Sequence, residues 1–340
     1  MKEKTQREIW VDYVKVVACV LVVLGHFFQS MTLAGLLPAN ALYRFWNQTI
    51  YYFHVPLFFL CSGYLYQKYS HVRTVDSWRR NVLKKAVALG IPYVVFSTVT
   101  WFLKAVFSDS VNTRVGGYLS ALIISPLSPY WYLYALFVLF FVTPTFQNRK
   151  EAVLGLIVAS MFKVLGILGR WDTAAVQYFL DNEIWFVMGM CLRLCGMMKS
   201  AASGEMWRSA VLGTAFAALS VIVFRRQDSS GFAAFSLGVL GCFWIILLIR
   251  SLFPDGKRSV ALDFLSEYTM PIYLMHTIFA AAFRTLLLKA GVNQSAAHVI
   301  GGLVISFAGP IAAAVTMRKS GWMEFFLYPR KFLSFSGDNT

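Results

Sequence analysis

Apolar residues run along the chain in long blocks at 9–31, 48–67, 86–107, 129–146, 152–169, 183–198, 209–224, 232–249, 267–289 and 298–317, broken by short charged or turn-rich stretches. A helix crossing the hydrocarbon core needs about 20 predominantly apolar residues. The blocks lack the alternation that marks a membrane-spanning barrel. The pattern predicts an all-α polytopic membrane protein with about ten transmembrane helices. The stretch 117–128 is also apolar but short, and it ends in Ser125-Pro126 and Ser128-Pro129. It reads as a half-helix or re-entrant segment before the fourth span. The first block is too long for the core of a secretory signal and lacks a small-residue cleavage pattern, so it is expected to remain as the first span.

An even number of spans puts both termini on one side. With the N-terminus inside, the inner segments carry 21 of the 31 Lys and Arg and the outer loops 6. The positive-inside rule then gives an N-in, C-in protein of the plasma (inner) membrane. Composition agrees: 58% of the 340 residues are apolar and 14% charged, against about 25% charged in a soluble domain. This excludes a cytosolic enzyme, a disordered chain and a disulfide scaffold. All five cysteines sit inside apolar blocks and read as small buried hydrophobes. No loop is long enough for a second domain, so 1–340 is one membrane domain with an interfacial basic-aromatic tail from residue 318. The net charge of +15 reads as basic loops against anionic membrane lipids rather than as a nucleic-acid surface. A second reading is a site for an anionic cofactor on that same side.

Ionisable groups inside spans are expensive and mark candidate chemistry. In the first span Asp12 and Lys15 share a face, and His26 lies eleven residues beyond Lys15. Eleven residues are close to three whole turns, so Lys15 and His26 share one stripe about 16 Å apart. His54 stands in Phe53-His54-Val55-Pro56 of the second span and His276 in Pro271-Ile272-Tyr273-Leu274-Met275-His276 of the ninth. Each reads either as a packing imidazole or as part of a shared pocket. The three histidines lack paired ligand spacing and a nearby carboxylate, so no metal is expected. His71 and Asp76 match a His-x4-Asp pattern, but in a short basic loop with no acyltransferase domain around them they read as a chance pair. Arg79, Arg80, Lys84 and Lys85 form the densest basic cluster. It serves as a topology anchor or as a phosphate-binding entrance, and the sequence alone leaves both open.

Four passages carry a resemblance: Trp10–Lys15 with Leu21–His26, Phe53–Tyr64, Tyr130–Leu133 and Pro271–His276. In order and spacing the chain resembles the acyltransferase family 3 integral-membrane O-acyltransferases, especially the fucose 4-O-acetylase-like acetyltransferases. The resemblance implies ten spans and transfer of an acetyl or other acyl group from cytoplasmic acyl-CoA to a hydroxyl, usually on a glycan. The family's basic-x10-His motif falls on Lys15 and His26. It implies His26 as general base or transient acyl carrier and Lys15 as a donor contact. The candidate catalytic set is His26, Asp12, His54 and His276. The candidate contacts for acetyl-CoA, a co-substrate, are Lys15, Arg79, Arg80, Lys84, Lys85, Trp131 and Tyr132. The family's usual Arg-x-x-Arg spacing is not reproduced before the third span. Expected partners are acyl-CoA, a glycan or lipid-linked sugar acceptor and membrane lipids, with no nucleic acid. The competing reading is a glycan or lipid transporter or flippase using the histidines as a proton relay.

Overall fold

The computed structural model describes residues 8–108, 115–169, 171–198, 204–254 and 257–333. Among them there are helices and no strands. The predicted inner cations Lys2, Lys4, Arg7 and Lys199, the outer Arg114 and Arg170, and the tail beyond Leu333 lie outside the described residues.

Each predicted span falls on a helix. The first is α1 (Ile9–Leu33). The second breaks in two, into α2 (Ala41–Tyr51) and α3 (His54–Tyr69). Pro56 has no N–H for the Tyr52 carbonyl, so the helix cannot run through this point. The third span extends from α4 (Val75–Lys85) through a π-helical turn (Ala86–Gly90) into α5 (Ile91–Val106). Here Pro92 cannot donate to Ala88, and the widened turn absorbs the loss. The stretch 117–128 forms a short π-helical turn (Ser120–Ile124) tied to α5, with the Tyr93 hydroxyl donating to the Leu122 carbonyl at 2.6 Å. Next come α6 (Trp131–Val142), α7 (Arg149–Leu168) and α8 (Ala174–Leu194). They are followed by α9 (Glu205–Arg226), α10 (Gly231–Leu252), α11 (Val260–Lys289) and α12 (Ser295–Arg318). A short α13 (Gly321–Leu327) and a 3-10 turn (Pro329–Lys331) close the described chain.

Seven of these helical segments are long and apolar enough to cross a membrane: α1, the continuous 75–106 segment, α7, α9, α10, α11 and α12. Helix α6 is apolar but shorter. The two remaining predicted spans, α3 and α8, occupy the middle of the bundle and pack most closely on each other. Their backbones nearly touch: a Cβ on Gly63 would overlap the Phe186 carbonyl oxygen, and one on Gly189 the Leu60 carbonyl oxygen. Shielded by the outer helices, α8 tolerates Asp181, Asn182 and Glu183 in its interior, and for the same reason it begins nine residues before the predicted boundary. Outward-facing side chains such as Phe102, Leu154, Met161, Ile300 and Val304 are exposed apolar groups, as a lipid-facing surface requires.

The loops alternate between two ends of the bundle, and the stretches expected on the inner side gather at one of them. Lys68 pairs with Glu8 at 2.7 Å, and the Val72 N–H donates to Thr145 Oγ1 at 3.0 Å. The Tyr13 hydroxyl accepts from the Ser259 N–H at 2.8 Å and donates to Asp263 Oδ1 at 3.0 Å. Arg250 donates to the Met198 carbonyl, and Tyr328 to that of Glu267. Both described ends of the chain therefore lie at this amino-terminal end.

Candidate active site

Helix α1 is the rail on which the site is built. Lys15 lies near its amino-terminal end and His26 three turns further along, half-buried and facing a cavity. Gly25 lets Tyr51 come close, since a Cβ there would stand 3.1 Å from the tyrosine ring. The Tyr51 ring meets His26 edge-on at 6.4 Å between centroids and His54 at 4.7 Å. The break between α2 and α3 places His54 so that its Nδ1–H donates to the Ile50 carbonyl at 2.8 Å. That bond fixes Nδ1 as donor and leaves Nε2 as acceptor. From the opposite side α11 presents His276, 5.5 Å from His26 between ring centroids. Helices α1, α3 and α11 thus bring the three predicted intramembrane histidines into one layer.

The cavity holds about 490 Å³ and lies toward the distal end of the bundle. His26, Tyr51, His54, Trp131, Lys163, Tyr178, Asp181 and Asn182 are among the residues that line it. Trp131 and Tyr178 stack with centroids 5.0 Å apart and planes 31° from parallel. Lys163 Nζ lies 3.0 Å from Asp181 Oδ1, and Gln177 donates to Asp181 Oδ2 at 2.6 Å. The result is a polar chamber with broad aromatic faces and a satisfied ion pair.

One turn toward the amino-terminal end lies an aromatic layer. Tyr132 packs on Phe58 and Tyr273 at centroid distances of 5.5 and 5.7 Å, and its hydroxyl bonds Ser62 Oγ at 3.2 Å. The Tyr273 hydroxyl donates to the Pro129 carbonyl. Beyond this layer lie Asp12 and Lys15. Lys85 is within electrostatic reach of Lys15 and Arg330, and its ammonium sits 3.9 Å from the Phe140 ring centroid.

A family model described as an acyltransferase domain, that of acyltransferase family 3, matches residues 8–315. The chain belongs to acyltransferase family 3. Nodulation protein NolL of Mesorhizobium japonicum is 27% identical over 162 residues, covering 46% of this chain and 41% of that protein. The chain thus spans less than half the length of this curated relative. No solved structure matches the chain.

In this member of the family the predicted site residues divide. His26, His54 and His276 converge, and Trp131 joins His26 and His54 in lining the cavity. Lys15 and Lys85 lie within electrostatic reach of each other at the amino-terminal end, with Asp12 one turn from Lys15. Arg79 and Arg80 stay exposed, and Lys84 is half-buried. On α4, Asn81 and Lys85 share the face turned to α6, where Asn81 donates to the Phe140 carbonyl. Arg79 points the opposite way on the same helix. Tyr132 lies in the interior aromatic layer, not on the cavity wall. Among the described residues no three His, Cys, Asp or Glu side chains are grouped to hold a metal ion. Sequence reasoning missed Tyr51, Asp181 and Asn182. Lys163, visible as a cation within a span, was the one available signal for this part of the lining, and its partner lies 18 residues away on another helix.

Proposed function

We propose that this membrane acyltransferase moves an acetyl or other acyl group from acyl-CoA to a hydroxyl of a cell-envelope or exported glycan. The observation that carries the reading is the polarity of α1: a cationic end with Lys15 and Lys85, and a histidine facing a chamber three turns away. CoA is a polyanion and suits the first. The chamber suits a sugar, whose apolar face meets the aromatic lining while its hydroxyls reach polar lining residues. The amino-terminal end is then the cytoplasmic one, in the plasma membrane.

In the direct route His26 takes the proton of the acceptor hydroxyl, and the oxygen attacks the thioester carbonyl. The carbon–sulfur bond breaks, and the CoA thiolate leaves and recovers the proton. In the relay route the His26 nitrogen is acylated first, CoA leaves, and the acceptor oxygen then displaces the imidazole. The aromatic layer of Phe58, Tyr132 and Tyr273 lies on the path of the acyl arm in either route.

The test is acetyl-CoA binding to purified protein, with acetyl transfer measured alongside. Saturable binding weakened by Lys15→Ala, and transfer abolished by His26→Ala with donor binding and thermal stability retained, are the expected results. Absence of binding at millimolar donor would favour a transporter on the same fold. Wild-type transfer in the His26 variant would remove its catalytic role.

A further inference from the structure

Two polar side chains in the cavity lining are held in the same way. His54 is 2% exposed and Asn182 7%, yet both line the cavity. Each donates to the carbonyl four residues back: His54 Nδ1–H to Ile50 and Asn182 Nδ2–H to Tyr178, both at 2.8 Å. Only a nitrogen of either side chain can donate to a carbonyl, so each bond fixes which way the group faces. His54 is left with Nε2 and Asn182 with Oδ1, and both atoms are acceptors. Among the described residues neither atom has a hydrogen-bond partner. Asn182 also keeps one N–H, whereas His54 offers an acceptor alone.

A desolvated acceptor without a donor is costly, and an apolar residue at either position would avoid that cost. His26 lines the same cavity, and neither of its nitrogens is tied to another group among the described residues. The ring that must change its protonation is free to do so, and its cavity neighbours are locked as acceptors. The Tyr51 ring meets His26 at 6.4 Å and His54 at 4.7 Å between centroids, so one aromatic ring separates the base from the locked acceptor. A sugar carries hydroxyls on successive carbons, and one can reach His54 while another meets His26. A fixed acceptor also selects: it takes an O–H or N–H and rejects an ether, a carboxylate or a phosphate oxygen.

We propose that His54 Nε2 and Asn182 Oδ1 receive hydrogen bonds from acceptor hydroxyls other than the one that is acylated. The two residues thereby decide which polyol is accepted and which of its hydroxyls reacts. The inference rests on the acyl-transfer reading above and adds a requirement to it: a hydroxyl donor beside the reacting hydroxyl. His54 is a specificity-determining residue in this scheme, and no bond is made or broken at it.

The test measures acetyl transfer from acetyl-CoA by the full chain in phosphatidylcholine nanodiscs. The acceptors are the methyl β-glycosides of glucose, galactose and mannose and their monodeoxyfluoro analogues. Fluorine keeps the polarity of a hydroxyl but cannot donate. For a glycoside that the wild type acetylates, fluorine in place of one non-reacting hydroxyl is expected to lower kcat/KM about tenfold, since a site built to bond a hydroxyl rejects an analogue lacking it. His54→Asn keeps a side-chain N–H for the Ile50 carbonyl and withdraws Nε2. It is expected to lower kcat/KM for the parent about tenfold and to leave that fluoro analogue within about twofold of its wild-type value, with acetyl-CoA affinity unchanged. Asn182→Ser, whose hydroxyl still reaches back to the Tyr178 carbonyl, is expected to do the same for a second hydroxyl. If His54→Asn fails to fold, the Asn182→Ser comparison and the wild-type fluoro series decide. An equal loss for parent and fluoro analogue marks a structural role and overturns the proposal. So does a wild type that treats the parent and all its non-reacting fluoro analogues alike, or one that binds acetyl-CoA and acetylates none of the three glycosides. Each of these results leaves the donor reading standing. A wild type that binds no acetyl-CoA overturns both.

Discussion

His276 stands directly behind His26, the two rings 5.5 Å apart between centroids and tilted by 37°. The Nδ1–H of His276 donates to the carbonyls of Ile272 and Tyr273, both at 3.0 Å. That leaves Nε2 as an acceptor, and it is buried without a hydrogen-bond partner. A buried acceptor left unmet costs about 1–3 kcal/mol. Such a group is useful if its neighbour gains a donor during turnover. His26 carrying the acceptor's proton has two N–H groups, and His276 can receive one. His276 is thus a positioning residue for the imidazolium. His276→Phe fills the same space without the acceptor. We expect kcat to fall about 10- to 100-fold, less than the roughly 100- to 10,000-fold that general acid–base catalysis itself contributes, with donor KM held and the pH–rate profile altered. Steady-state kinetics across pH check this; a wild-type kcat and profile would detach His276 from the reaction.

The division of the basic cluster gives a graded prediction for the donor. Lys85 lies over Phe140 within electrostatic reach of Lys15, whereas Arg79 and Arg80 are exposed and Arg79 faces away. Lys85→Ala should weaken acetyl-CoA binding about tenfold, as loss of a charge-assisted contact does. Arg79→Ala should change it less than about twofold, because exposed charges are screened by salt. Calorimetric titration of the two variants decides. Equal effects would return the whole cluster to a diffuse electrostatic role.

The helical blocks and the Lys15–His26 stripe were legible because both depend on local periodicity: apolar runs set spans, and eleven residues set a face. Three features were not. The break at Tyr52-Phe53 lay inside a continuous apolar block, and only Pro56 hinted at it. The early start of α8 was hidden because Asp181 and Asn182 look like a loop until α3 and α7 are seen to pack against the helix. The split of the 79–85 cluster depends on which face of α4 meets α6, a tertiary fact. Tyr132 shows the same limit in reverse: its neighbour Trp131 reaches the cavity, and a step of one residue turns the side chain by about 100° into the aromatic layer.

The scaffold beneath the site depends on two glycines. Helices α3 and α8 approach so closely that a methyl group on Gly63 or Gly189 would strike backbone rather than a side chain able to swing away. Close approach through small residues is the usual basis of helix association in a bilayer, and overpacking costs about 1–3 kcal/mol. Gly63→Ala and Gly189→Ala should each lower thermal stability in detergent and displace His54, which begins α3. Gly116→Ala, where a Cβ meets open space, should leave the melting temperature unchanged. Thermal melts of the three variants provide the check, and unaltered melting of both core variants would mean that the helices separate at little cost.

The Lys163–Asp181 pair makes the last prediction, about the acceptor. It lines the same cavity as His26, with side-chain exposures of 15% and 35%. Gln177 also holds Asp181, so the carboxylate is fixed by two donors before any ligand arrives. A pair that already neutralises itself presents dipoles and leaves little net charge to attract an ionic substrate. The chamber should therefore favour a neutral polyhydroxyl acceptor. Lys163→Met strands the carboxylate and Asp181→Asn strands the ammonium. Each single change should raise the acceptor KM several-fold without altering acetyl-CoA affinity. The double change should cost less than the sum of the two, because residues that act as a pair are not additive. Acceptor kinetics on the four proteins of the cycle measure this coupling. Additive effects, or a shift in donor affinity instead, would place the pair outside acceptor recognition.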